Sequence, residues 1–173
     1  AANDDAGASD SGRAYVFNAT TGALVATLAN PTPAIGDLFG FTVAISSDRV
    51  VVGAMRDDTG ASDSGTAYVF NATTGALVAT LANPAPASVD QFGFSVAISG
   101  NTVVVGANLD DTGASNSGSA YVFNATNGAL VATLANPTPA IGDQFGVSVA
   151  ITANAVIVGA NFDDTSASNS GTA

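Results

Sequence analysis

The chain has 173 residues, 47% hydrophobic and only 10% charged, with 14 acidic side chains against 3 basic ones and a net charge of −11. Every acid is aspartate and the bases are Arg13, Arg49 and Arg56; Lys, Glu, His, Cys and Trp are missing. This composition excludes nucleic-acid binding by phosphate neutralisation and a polybasic membrane patch, and it excludes disulfides, thiol catalysis and Cys/His zinc sites.

No run approaches the ~18 apolar residues of a membrane helix, so no membrane insertion is expected. The chain opens on Ala1-Ala2-Asn3-Asp4-Asp5 with neither an initiator Met nor a signal peptide, as expected of a mature product or of a segment cut from something longer. Its first predicted strands are Ala14–Phe17 and Ala23–Ala29.

From there the sequence is governed by a repeat of 53 residues without insertions. Phe39-Gly40 recurs as Phe92-Gly93 and Phe145-Gly146, and Gly53-Ala54 recurs as Gly106-Ala107 and Gly159-Ala160. Residues 54–106 and 107–159 differ at 13 positions, so 40 of 53 match. Identity that high points to interchangeable units rather than blades that have diverged into separate roles. The expected units are residues 1–53, 54–106 and 107–159, with 160–173 starting a fourth in the register of 1–14.

Each repeat reads as four short strands. In the best-defined copy they are Phe92–Ile98, Thr102–Ala107, Ala120–Asn124 and Ala129–Ala135. The first and fourth alternate, as half-buried strands do, whereas the second is a continuous apolar run, as in a strand buried on both faces. Tyr121 and Phe123 share one face of the third, with Val122 on the other. The chain closes on Phe145–Ile151 and Ala155–Ala160, the first two strands of a further unit.

The connections carry turn chemistry. Asn71-Ala72-Thr73-Thr74-Gly75 joins strands three and four, Asn83-Pro84-Ala85-Pro86 leads to the next unit, and Asp57 to Gly65 joins strands two and three. A four-stranded unit that is apolar on both faces must stack on copies of itself, which is the logic of a β-propeller blade. The expected fold is therefore all-β: tandem four-stranded antiparallel blades, whose ring is completed in trans or which run on as an open array or filament.

Three sets of residues are chemical candidates. The loop between strands two and three gathers Asp57, Asp58 and Asp63, and it recurs at Asp110, Asp111, Asp163 and Asp164. Ca²⁺ takes 6–8 oxygen ligands on such flexible loops, while Asp also caps turns. Asn-Ala-Thr sequons fall at Asn18, Asn71 and Asn124, each at a hairpin tip that a glycan can reach, although Asn also suits the turn. Asp37, Asp90 and Asp143 stand two residues before each Phe-Gly, where a local side-chain bond would fix the blade entry.

Asp90-Gln91-Phe92-Gly93-Phe94-Ser95-Val96-Ala97-Ile98, followed by Val103-Val104-Val105-Gly106-Ala107, Asp110-Asp111 and Gly118-Ser119-Ala120-Tyr121-Val122-Phe123, resembles the FG-GAP repeat, the blade unit of the integrin α-subunit head and of many bacterial surface proteins. The resemblance implies a four-stranded antiparallel blade, a possible Ca²⁺ in the acidic loop and an extracellular or cell-surface location, here bacterial. Two departures are visible. Met55, Asn108 and Asn161 stand where the motif closes on proline, and the paired Asp residues replace the alternating acids of the family's calcium loop.

No enzyme is expected. The usual general acids and bases other than Asp are absent, and near-identical repeats leave no copy set apart as an active site. The function expected is that of a structural or adhesive repeat protein, a segment of a filament or tandem array whose partners are copies of itself, assembling by blade stacking and strand complementation. The alternative is an integrin-like, calcium-dependent propeller that binds a protein or glycan.

Overall fold

The computed structural model describes residues 1–5, 7–164 and 171–172. They form twelve strands and no helix: β1 (Arg13–Phe17), β2 (Leu24–Ala29), β3 (Thr42–Ser46), β4 (Arg49–Ala54), β5 (Thr66–Asn71), β6 (Leu77–Ala82), β7 (Phe92–Ser99), β8 (Thr102–Ala107), β9 (Ser119–Asn124), β10 (Leu130–Ala135), β11 (Ser148–Ile151) and β12 (Val156–Gly159). β3–β6 and β7–β10 are four-stranded antiparallel meanders, flanked by the two-stranded sheets β1–β2 and β11–β12. Among the described residues β12 does not pair with β1, so the stack of sheets stays open.

The pattern of each strand sets which way it faces. In β4, Val50 and Val52 point back toward the first sheet while Val51 points forward to the next. Tyr68 and Phe70 of β5 join the backward set, and Val69 the forward one. Three apolar layers result. The first holds Ala14 and Leu28 against Phe39, Val52, Tyr68 and Phe70. The second holds Val51, Val69 and Leu81 against Phe92, Val103, Tyr121 and Phe123. The third holds Val104, Ala120 and Val122 against Val149, Ile151, Val156 and Val158. Each sheet thus completes its neighbour's core, and the apolar run of the second strand is accounted for by burial on both faces in β4 and β8.

Phenylalanine anchors every layer. Phe92 lies 5.7 Å from both the Tyr121 and the Phe123 rings, and Phe39 lies 5.8 Å from Tyr68 and Phe70. The glycine after each such Phe keeps a left-handed backbone, with φ of 88° at Gly40, 90° at Gly93 and 92° at Gly146. Close approach explains the Gly of the Gly-Ala pair. A Cβ on Gly106 would stand 2.0 Å from the carbonyl oxygen of Gly146 and 2.4 Å from Ser95 Oγ. Ser95 Oγ donates to that same carbonyl at 2.7 Å, and Thr42 Oγ1 donates to the Gly93 carbonyl at 2.8 Å, so successive sheets touch backbone to backbone here.

Candidate functional site

The acidic loop lies where one sheet hands the chain to the next. Its carbonyls accept from the linker that enters the following sheet: Val89 N–H donates to Ser62 O at 2.9 Å, Gln91 to Asp63 O at 3.2 Å and Phe92 to Ser64 O at 2.9 Å. One repeat on, Gly142 N–H donates to Ser115 O, Gln144 to Asn116 O and Phe145 to Ser117 O. One repeat earlier, Ser9, Asp10 and Ser11 receive Gly36, Leu38 and Phe39 in the same order. The glycine that ends each loop is the seat. A Cβ on Gly65 would stand 2.1 Å from the Phe92 carbonyl oxygen.

The first Asp of each pair holds this latch closed. Asp57 is buried; its Oδ1 accepts from Thr59 N–H at 2.9 Å and its Oδ2 from the Tyr68 hydroxyl at 2.7 Å. Asp110 repeats the arrangement with Thr112 N–H at 2.7 Å and the Tyr121 hydroxyl at 2.6 Å. Burial pushes both phenols well above their ordinary value, reinforced by the adjacent carboxylate, so each stays a donor. Tyr68 also meets Thr32 Oγ1 at 2.9 Å, which ties the loop to the linker entering its own sheet.

A second carboxylate fixes that linker. Asn30 Nδ2 and Ala34 N–H both donate to Asp37 Oδ2 at 2.7 Å, and Asn83 and Ala87 do the same for Asp90, as Asn136 and Ala140 do for Asp143. Desolvation holds the Asp37 and Asp90 carboxyls above the usual range; the hydrogen bonds oppose this, and the neighbouring pairs Asp57-Asp58 and Asp110-Asp111 add to it.

The second Asp of each pair turns outward. Asp58 and Asp111 are exposed, and each accepts the backbone N–H five residues on, from Asp63 at 2.8 Å and from Asn116 at 2.7 Å. Asp163 is buried and Asp164 exposed, so the same division holds in the last copy. Asp63 sits at φ 51° and Asn116 at φ 52°, the left-handed region that Asp and Asn enter most readily among residues with a side chain. That position selects a backbone geometry, which either side chain satisfies. The paired carboxylates diverge, the first toward Tyr and backbone donors and the second toward the backbone five residues on, and among the described residues no three acidic groups converge.

The sequon asparagines sit at the outer hairpins. Asn18 Oδ1 accepts from Thr20 and Thr21 N–H, and Asn71 Oδ1 from Thr73 and Thr74 N–H, all at 2.9–3.0 Å. Asn124 takes Thr126 N–H at 2.8 Å. These Asx turns shape the hairpin through the oxygen of each amide.

Sequence reasoning placed the Phe-Gly aspartates in a local bond but missed their asparagine partners seven residues earlier, as well as the Tyr–Asp bond across eleven residues. Both spacings recur in the sequence at a fixed interval, which was the available signal.

The FG-GAP repeat family matches residues 24–70, 77–123 and 130–173, which together make up most of the chain. The chain belongs to the FG-GAP repeat family. Among solved structures, the chain resembles the computationally designed Ika4 protein at 20% identity and a TM-score of 0.55, over 88% of this chain and 76% of that one. It also resembles BamB from Moraxella catarrhalis at 18% identity and a TM-score of 0.52, over 87% of this chain but only 37% of BamB. At such identities the likeness concerns the fold, a β-propeller-like stack of FG-GAP blades. No curated protein sequence matches the chain.

Proposed function

We propose that these FG-GAP blades serve a mechanical role, as a segment of an extracellular, bacterial surface array or filament that lengthens by adding blades. The observation that carries this reading is the latch, repeated in the same geometry at each handover between sheets. In both complete blades the buried carboxylates and the phenol are engaged with the loop and linker that join neighbouring sheets. An array of this kind derives its stability from the units plus their nearest-neighbour interfaces, so each added blade adds the same increment.

The low charge suits such a role. Three arginines offer trypsin-like proteases few cut sites over 173 residues. The test is a series of tandem chains carrying three, six and nine of the 53-residue repeats, imaged by electron microscopy. The reading requires contour length to grow in proportion to repeat number and the unfolding free energy to rise by a constant increment per repeat. Particles of constant diameter that close at a fixed repeat number would refute it and favour a discrete propeller.

A further inference from the structure

Among the described residues the first sheet has two strands where the complete blades have four, and the space beside β1 is a groove of about 450 Å³ lined in part by Val16, Val43, Ile45 and Val50. Val43 and Ile45 are 58% and 59% exposed, while their repeat counterparts Val96 and Ile98 pack against the strands of the preceding blade. The last sheet has the opposite feature. Ile157 on β12 is 60% exposed, while its counterparts Val51 and Val104 are completely buried between blades.

We propose that this groove takes β11–β12 of a second copy of the chain, with β12 adding to the open edge of β1. The inference rests on the stacking reading above and specifies the seam. The register follows from the repeat, because β4 already pairs with β5 inside the chain as Val50 with Phe70, Val51 with Val69 and Val52 with Tyr68. Carried to the seam, Val156 of one copy faces Phe17 of the next, Ile157 faces Val16 and Val158 faces Tyr15. Ile157 then fills the space beside Val43, Ile45 and Val50. The exposed rings of Tyr15 and Phe17 come to lie against β9–β10 of the first copy, as Tyr121 and Phe123 lie against β5–β6 within the chain. The ladder supplies affinity and the apolar knob supplies register.

The donor's own tail competes for this edge. Ala160 exchanges two backbone hydrogen bonds with Thr172, each at 2.7 Å, in the position where the seam puts the next copy's Arg13. In that next copy, Ala1 holds the corresponding bonds to Arg13. One of the two loops must release for the seam to close, and on the donor the Ala160–Thr172 pair is what occupies the edge. The acceptor's loop is latched to Leu38 and Phe39.

The full chain tests this, because it has no cysteine of its own. Ile157→Cys combined with Val16→Cys should give a disulfide-linked ladder of dimers and higher multimers on mild oxidation. Ile157→Cys with Ala14→Cys, two residues out of register, should not. Sedimentation should show association that rises with concentration and strengthens in Thr172→Pro, which removes the donor that closes the tail. Ile157→Asp, at a position exposed in the single chain, should keep the melting temperature yet weaken association by at least about a hundredfold, since the seam would bury an unpaired carboxylate.

A parent chain and Thr172→Pro variant that both stay monomeric at every concentration would overturn the seam. So would equal cross-linking of the out-of-register pair, or a 157–16 disulfide formed within a single monomeric chain. Oligomers that persist in Ile157→Asp and fail to cross-link would overturn the seam while leaving blade stacking intact.

Discussion

Truncating the same phenylalanine at two places in the repeat separates stacking from mere sheet formation. Phe123 and Phe17 hold equivalent positions on β9 and β1, yet Phe123 is 3% exposed between two blades and Phe17 is 58% exposed. Removing a fully buried ring loses its transfer free energy, leaves a cavity and breaks the near-perpendicular contact with Phe92, so Phe123→Ala should cost about 3–5 kcal/mol. Phe17 has only about two-fifths of its surface out of water and leaves no closed cavity. Its loss should therefore cost about 1 kcal/mol, two-fifths of a transfer term of roughly 2–3 kcal/mol. Equilibrium urea unfolding of dilute protein measures both, provided the denaturant slope is unchanged. Equal costs at the two positions, or a cost below about 1 kcal/mol at Phe123, would refute the claim that burial between blades carries the stability.

Other expectations follow from the latch and the interfaces. Gly106→Ala drives a Cβ into the Gly146 carbonyl and Ser95 Oγ, so it should cost several kcal/mol by calorimetry, whereas Gly22→Ala, with nothing within 4 Å, should cost only the strain of its φ of 71°. The raised carboxyls of Asp37 and Asp90 bind protons more readily when folded than when unfolded. They therefore favour folding most at and below the ordinary carboxylate range and lose that contribution as pH rises through their folded values. Unfolding midpoints should thus climb as pH falls from neutrality toward the ordinary carboxylate range, and Asp37→Asn with Asp90→Asn should flatten the climb; a slope unchanged in the double variant would be the contrary result. At a net charge of −11, association should strengthen when salt screens repulsion, and added salt that dissolves the assemblies would count against repulsion as the limit. Calcium and a chelator should leave the melting temperature alike, because the paired carboxylates already accept from Tyr and backbone donors.

The strands were legible because their cues are local. Alternation in Phe92–Ile98, the unbroken Val103-Val104-Val105 run and Gly118 before Tyr121 each report the face that the strand presents. Even the split sheets at the two ends followed from the phase of the repeat. What stayed hidden was tertiary. Leu38, Gln91 and Gln144 all adopt a left-handed φ of 57°, which no propensity assigns to Leu or Gln; the hydrogen bonds to the preceding loop impose it. Composition does not say where a carboxylate points. Only the fold shows Asp57 turned inward to Tyr68 and Asp58 turned outward to the backbone of Asp63. Likewise Asp63 and its counterpart Asn116 differ in charge yet share one backbone geometry.

Electron microscopy of the native material is the most direct test of the central claim, that FG-GAP blades here build an extended stack. The account predicts continuous fibres whose density repeats blade by blade along the axis and which survive a calcium chelator. Discrete closed rings of fixed blade number, or fibres that fall apart when calcium is removed, would contradict it.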